Sequence, residues 1–167
     1  MQFHFYIPFI AALIPLFIGF IWYNPKVFGN AWMKASNTPV PEAGKGPNMA
    51  IVFSLCYVFG LLVAFALMSL TVHQMSVFSI LANEPGMGDP NSEVMQLMSG
   101  FYAKYGNNFR TFKHGALHGT LAGIMIALPI IGTSALFEGR KFKYIAISAG
   151  YWIVSMALMG GVICAFL

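Results

Sequence analysis

The sequence predicts an all-α integral membrane protein, a four-helix bundle with an amphipathic extramembrane helical segment between its second and third helices. Hydrophobic residues make up 58% of the chain and charged residues 8%, against roughly 25% charged in soluble domains, so a water-facing surface would go uncovered. Four apolar runs of about 20 residues each match the thickness of a bilayer. The nine Lys and Arg exceed the five acids, and they lie in the connectors. There they mark topology and contact with anionic lipid; nucleic acid is not an expected partner. Spans are expected at about 3–23, 49–72, 114–136 and 144–166, within one membrane domain over 1–167. No Lys or Arg precedes the first apolar run and no small-residue cleavage site follows it, so that run is expected to stay as a helix.

The first span carries Pro8 and Pro15, each of which removes a backbone donor and can bend the helix. Trp22 and Tyr23 end it as interfacial aromatics, and Asn24-Pro25 breaks it. In the connector, Phe28 and Trp32 stand four apart between Lys26 and Lys34, a spacing that suits an anchor in the headgroup region. Residues 37–48 are rich in Pro, Gly and small side chains and read as loop. The second span starts near Met49. Its apolar periodicity continues through Val77, Phe78, Ile80 and Leu81, which suggests a helix projecting past the bilayer until Glu84-Pro85-Gly86.

The segment 73–113 is the one sizeable extramembrane part. Asp89-Pro90 is expected to start a helix, with Asp as cap, Pro in the first turn and Glu93 at the positive helix end. Val94, Leu97, Met98, Phe101, Tyr102 and Tyr105 then form a helix-spaced stripe for the membrane or neighbouring helices, ended by Gly106-Asn107-Asn108. In the third span Gly115, Gly119 and Gly123, with Ala127 one step on, line one side of a helix. They allow close approach of another helix, in this chain or in a second copy. Pro129 is expected to bend the helix below this seam. Gly150, Ala157 and Gly161 offer similar packing in the fourth span. Cys56 and Cys164 fall on opposite sides of the midplane, too far apart for a disulfide.

Four spans put connectors 24–48 and 138–143 on one face, with Lys26, Lys34, Lys45, Arg140, Lys141 and Lys143. The other face has Lys104, Arg110 and Lys113. The positive-inside bias then places the shorter connectors in the cytoplasm, with the termini and segment 73–113 external, in a bacterial cytoplasmic (inner) membrane. All four histidines fall at that external level: His4 opens the first span, His73 closes the second, and His114 and His118 open the third. His114 and His118 stand about 40° apart around their helix, as a metal pair or a hydrogen-bonded pair requires.

These histidines suggest a site for a transition metal or a haem, with Glu84, Asp89 or Glu93 as further ligand or supporting carboxylate. The plainer alternative is that each histidine hydrogen-bonds a carbonyl or water at a helix start. Met75, Met87, Met95 and Met98 on the same side raise a copper reading, although Met95 and Met98 already belong to the amphipathic stripe. A His118–Ser134 hydrolase dyad is excluded by separation, about 24 Å along the helix. A carboxylate-coupled transporter is disfavoured because no span carries a charged residue in its apolar interior.

Tyr23-Asn24-Pro25-Lys26 with Phe28-Gly29 and Trp32, the run His114-Gly115-Ala116-Leu117-His118-Gly119, Leu136-Phe137-Glu138, and Tyr151-Trp152 with Met159-Gly160 together resemble the bacterial membrane family catalogued as domain of unknown function 1761. The resemblance implies a four-helix membrane protein in which the paired histidines belong to the family pattern. It implies no activity and does not extend to 73–113. The first functional reading is a non-enzymatic structural or interaction subunit that associates with itself or with another membrane protein. The alternative is a metal- or haem-binding membrane protein with His114 and His118 as primary ligands and His73 or His4 completing the site. An oligomeric pore is a third, weaker option, since no polar axis is evident.

Overall fold

A computed structural model describes residues 4–37 and 46–167. The predicted start of the first span at residue 3, most of the predicted loop and Lys45 lie outside the described residues. The chain is all-helical there, with no strand among the described residues. Three helices are long and apolar enough to cross a membrane: α4 (Met49–Thr71), α7 (Phe112–Phe137) and α8 (Phe142–Phe166). The first apolar run, Ile7–Trp22, is shorter and comes in two pieces, α1 (Ile7–Ala11) and α2 (Ile14–Trp22).

The prolines account for that break. Pro8 and Pro15 each sit in the first turn of a piece, where the missing N–H costs no intrahelical bond. Between the pieces Leu13 N–H donates to Ile10 and Leu16 N–H to Leu13, the tighter three-residue pattern. The Ala12 carbonyl at this irregular turn abuts Gly60 of α4, where an added Cβ would come within 2.8 Å of it.

At the centre stands α8. Of its most apolar stretch 44% is buried, against 22% for α4 and 17% for α7. Along α7, small residues let the two backbones close up. A Cβ on Gly115 would lie 2.1 Å from the Gly160 carbonyl oxygen, one on Gly119 2.0 Å from that of Met156, and one on Gly123 2.7 Å from Ile153 Cα. The glycine seam therefore packs against α8 of the same chain. Below it, residues Gly123–Ala127 form a π turn in which Leu128 N–H reaches back to the Gly123 carbonyl. This widened turn precedes Pro129, and such a turn absorbs the register that a mid-helix proline disrupts. Outward-facing Phe53, Phe59, Leu62, Phe65 and Ile130 are exposed, as a surface solvated by hydrocarbon requires.

One end of α8 is tied to the first half of the chain by indole and phenol groups. Trp22 Nε1 donates to the Ile147 carbonyl, Trp32 Nε1 to Ser148 Oγ, and the Tyr151 hydroxyl to the Pro15 carbonyl. Trp32 lies on α3 (Gly29–Ser36) and packs on Tyr23 and Tyr144, while Phe28 packs on Trp22. Of these two aromatics, expected to anchor in headgroups, Trp32 is held against the protein, while Phe28 stays exposed beside Trp22. Lipid-facing and protein-facing aromatics leave the same spacing in a sequence. Gly29 is required here, because a Cβ would meet the Tyr23 carbonyl oxygen at 2.2 Å.

At the opposite end, His4 N–H donates to the Leu167 carbonyl and its Nδ1 stands 3.1 Å from the Phe166 carbonyl oxygen, so the two ends of the chain meet. The extramembrane segment differs from expectation in two places. First, α4 does not run on: Val72 leaves helical geometry, and α5 (Gln74–Leu81) starts afresh with His73 as its cap. Second, α6 (Glu93–Tyr105) is capped by Ser92, whose Oγ accepts from Met95 N–H. Asp89 instead closes a local turn by accepting from Asn91 N–H, a competing role for a short carboxylate. Glu93 does lie in the first turn, and Gly106 ends the helix.

Candidate metal centre

The break at Val72 sets the site. α4 ends inside the bundle, and its last turn is closed by Thr71, whose hydroxyl donates to Leu67, and by the Cys164 thiol, which donates to the Thr71 carbonyl. Had the helix continued, His73 would have followed its axis; the turn instead aims His73 at α7. There Thr111 caps the helix by accepting from His114 N–H, and His118 follows one turn later on the same side. Gly115 and Gly119, each one residue past a histidine and so about 100° around the helix, press an adjoining face onto α8.

The result is a cluster of three imidazoles. Ligand nitrogens of His73, His114 and His118 all lie within 4.8 Å of one another. His73 Nε2 and His114 Nε2 are 3.1 Å apart. Ring centroids are separated by 5.1 Å for His73 and His114, 4.8 Å for His73 and His118, and 4.5 Å for His114 and His118. Two nitrogens bound at about 2.05 Å to one tetrahedral ion stand roughly 3.3 Å apart, close to the shortest of these separations. A hydrogen bond between two neutral rings also fits that pair, with His118 packed against both rings.

His4 is at the same end but elsewhere. It stands against the last residues of α8 and borders a hollow with Arg110 and Asn107. No carboxylate among the described residues joins the three histidines; Glu84, Asp89 and Glu93, considered as supporting ligands, remain outside. Met75 and Met98 line a separate apolar hollow with Phe5, Phe78 and Tyr102.

Several supporting residues carried no signal in the sequence. Gln74 is buried, and its amide donates to the carbonyls of Asn108, at 2.7 Å, and Tyr105. The Tyr102 hydroxyl donates to the Gln74 carbonyl. Together they bind α6 and the following loop around His73. Arg110 donates through Nε to the Cys164 carbonyl at 2.7 Å, and burial pulls its pKa down from the ordinary arginine value. Phe109 sits at φ +60°, a backbone state unusual for a bulky residue. Its carbonyl accepts from the Cys164 thiol, and its ring lies 5.3 Å from His114. Beside His73, a hollow of about 310 Å³ opens between Gln74, Phe101, Tyr105, Asn108 and Phe109.

Several residues that pack on α8, Tyr23 and Trp32 towards one end and Gly115 and Gly119 towards the other, belong to the pattern noted in the sequence. A family model described as "Protein of unknown function (DUF1761)" matches residues 8–164. The chain belongs to this family. The match takes in segment 73–113 and all three clustered histidines. Comparison with curated proteins and with solved structures finds no match.

Proposed function

We propose that this family member is a four-span membrane protein that binds a divalent transition metal ion through His73, His114 and His118. The observation that carries the proposal is the convergence of three imidazoles from two separate segments within 4.8 Å. An all-imidazole donor set suits borderline ions such as Zn²⁺ or Cu²⁺ and offers nothing to Mg²⁺ or Ca²⁺, which take oxygen ligands. Three protein ligands leave a fourth position open, the arrangement of reactive rather than purely structural zinc. His73 also lines the neighbouring hollow, which would give a small molecule or water a way to the cluster. A haem fits less well: its macrocycle needs a slot between axial ligands, and rings 4.5–5.1 Å apart leave none.

Four crossings are supported by the path of Ile7–Trp22 along α8, from contact near Phe166 to contact near Ile147. The distribution of basic residues favours placing the histidine end outside the cytoplasm. The glycine seam, which might have served a partner, is occupied within the chain, so self-association would need another surface.

Titration of detergent-purified protein with Co²⁺ tests the proposal, because a tetrahedral three-histidine site gives visible ligand-field absorption. The wild type and His4→Ala should develop it at one equivalent, and His73→Ala, His114→Ala and His118→Ala should weaken it by at least tenfold in affinity. A spectrum unchanged in all three variants would refute the assignment.

A further inference from the structure

At the other end of the molecule, the geometry points to a second site, a pocket for the phosphate of an anionic lipid headgroup. It is independent of the metal reading. The end of α3 and the turn between α7 and α8, about 100 residues apart in sequence, enclose a cavity of about 320 Å³ whose lining includes Lys34, Asn37, Arg140, Lys141 and Lys143. No acid lines it among the described residues. Glu138, close by, is engaged by Arg140 at 3.4 Å, and Arg140 also lies over the Tyr144 ring. Lys34, Lys141 and Lys143 are exposed and have no ion-pair partner among the described residues. Cations that simply coat a surface repel one another into solvent; here two distant segments hold them around one concavity. The N-terminus of α8 opens there, capped by Lys141 without a side-chain hydrogen bond, so its positive end adds to the field.

A lipid is favoured over a free anion by the residues on either side of the basic turn. Leu136, Phe137 and Phe142 flank the basic turn and are 67%, 92% and 79% exposed. Large apolar groups standing out beside a cationic pocket match acyl chains below a headgroup, which a soluble phosphate lacks. Basic pockets between membrane helices on the cytoplasmic side take such headgroups, and each cation near the surface contributes roughly a fivefold gain in binding.

The test uses the full chain in phosphatidylcholine nanodiscs with increasing phosphatidylglycerol, bound lipid being counted by native mass spectrometry. The wild type should retain phosphatidylglycerol in preference to phosphatidylcholine. Lys34→Gln/Lys141→Gln/Lys143→Gln should lower that affinity by on the order of a hundredfold, while melting like the wild type. Lys104→Gln/Lys113→Gln, on the opposite end, should leave it unchanged. Equal retention by the triple variant, or equal loss in the opposite-end variant, would overturn the pocket. Calorimetry with inorganic phosphate provides the other arm: saturable phosphate binding without phosphatidylglycerol retention would assign the pocket to a soluble anion and overturn the lipid assignment.

Discussion

Gly119→Ala adds one methyl group at the tightest point of the α7–α8 seam. That Cβ would lie 2.0 Å from the Met156 carbonyl oxygen, about 1.4 Å short of ordinary contact at 3.4 Å. The obstacle is backbone on a buried helix, so no rotamer change relieves it and the helices must part. Overpacking of this kind costs about 1–3 kcal/mol or more. Alanine's better helix propensity returns roughly 0.5–1 kcal/mol. A net loss of about 1–2 kcal/mol should lower the melting temperature by roughly 2–8 °C for a chain of this size. Two glycines provide the control. At Gly132 a Cβ would meet Ile145 at an ordinary 3.8 Å, and at Gly100 it would meet nothing within 4 Å. Gly132→Ala and Gly100→Ala should therefore match or exceed the wild-type melting temperature. Thermal unfolding in one detergent, followed by tryptophan fluorescence, reads all three. If Gly119→Ala melts with the wild type, or if all three variants fall together, the seam does not hold the helices as described.

Two further outcomes follow. Cys56 lies on the outward surface of α4 and Cys164 is buried, so a maleimide that partitions into detergent should modify Cys56 ahead of Cys164, and Cys164 only as the protein unfolds; labelling of both at one rate in the native state would contradict the packing around Thr71 and Phe109. Binding a metal displaces protons from imidazole ligands, so metal affinity should fall as the pH is lowered; Co²⁺ titrations at about pH 7 and about pH 5 read this, and an affinity indifferent to pH would contradict imidazole ligation.

What the sequence made legible was depth. Hydropathy marks where a helix enters and leaves the bilayer, so His4, His73, His114 and His118 could all be assigned to one level. It says little about rotation around the bundle, and His4 therefore falls at the right end but against α8, apart from the other three. Rotation was readable only where small residues marked a face, as along Gly115, Gly119 and Gly123. The convergence of His73 depended on the break at Val72, which leaves no trace in an apolar periodicity that continues through Leu81. Gln74, Arg110 and Phe109 were invisible for a different reason: Gln74 and Arg110 donate to backbone carbonyls of distant segments, Phe109 accepts through its own carbonyl from the Cys164 thiol, and a carbonyl has no sequence identity.

The central claim is that three histidines hold one ion, and metal content tests it most directly. Protein purified from its native membrane, without chelators, would be compared with His73→Ala and with His114→Ala plus His118→Ala by elemental analysis. The account predicts near one equivalent of a divalent transition metal in the wild type and in His4→Ala, and its loss in the other two preparations. Metal absent from the wild type after its own ion has been offered at micromolar concentration, or retained in full by the double variant, would contradict it.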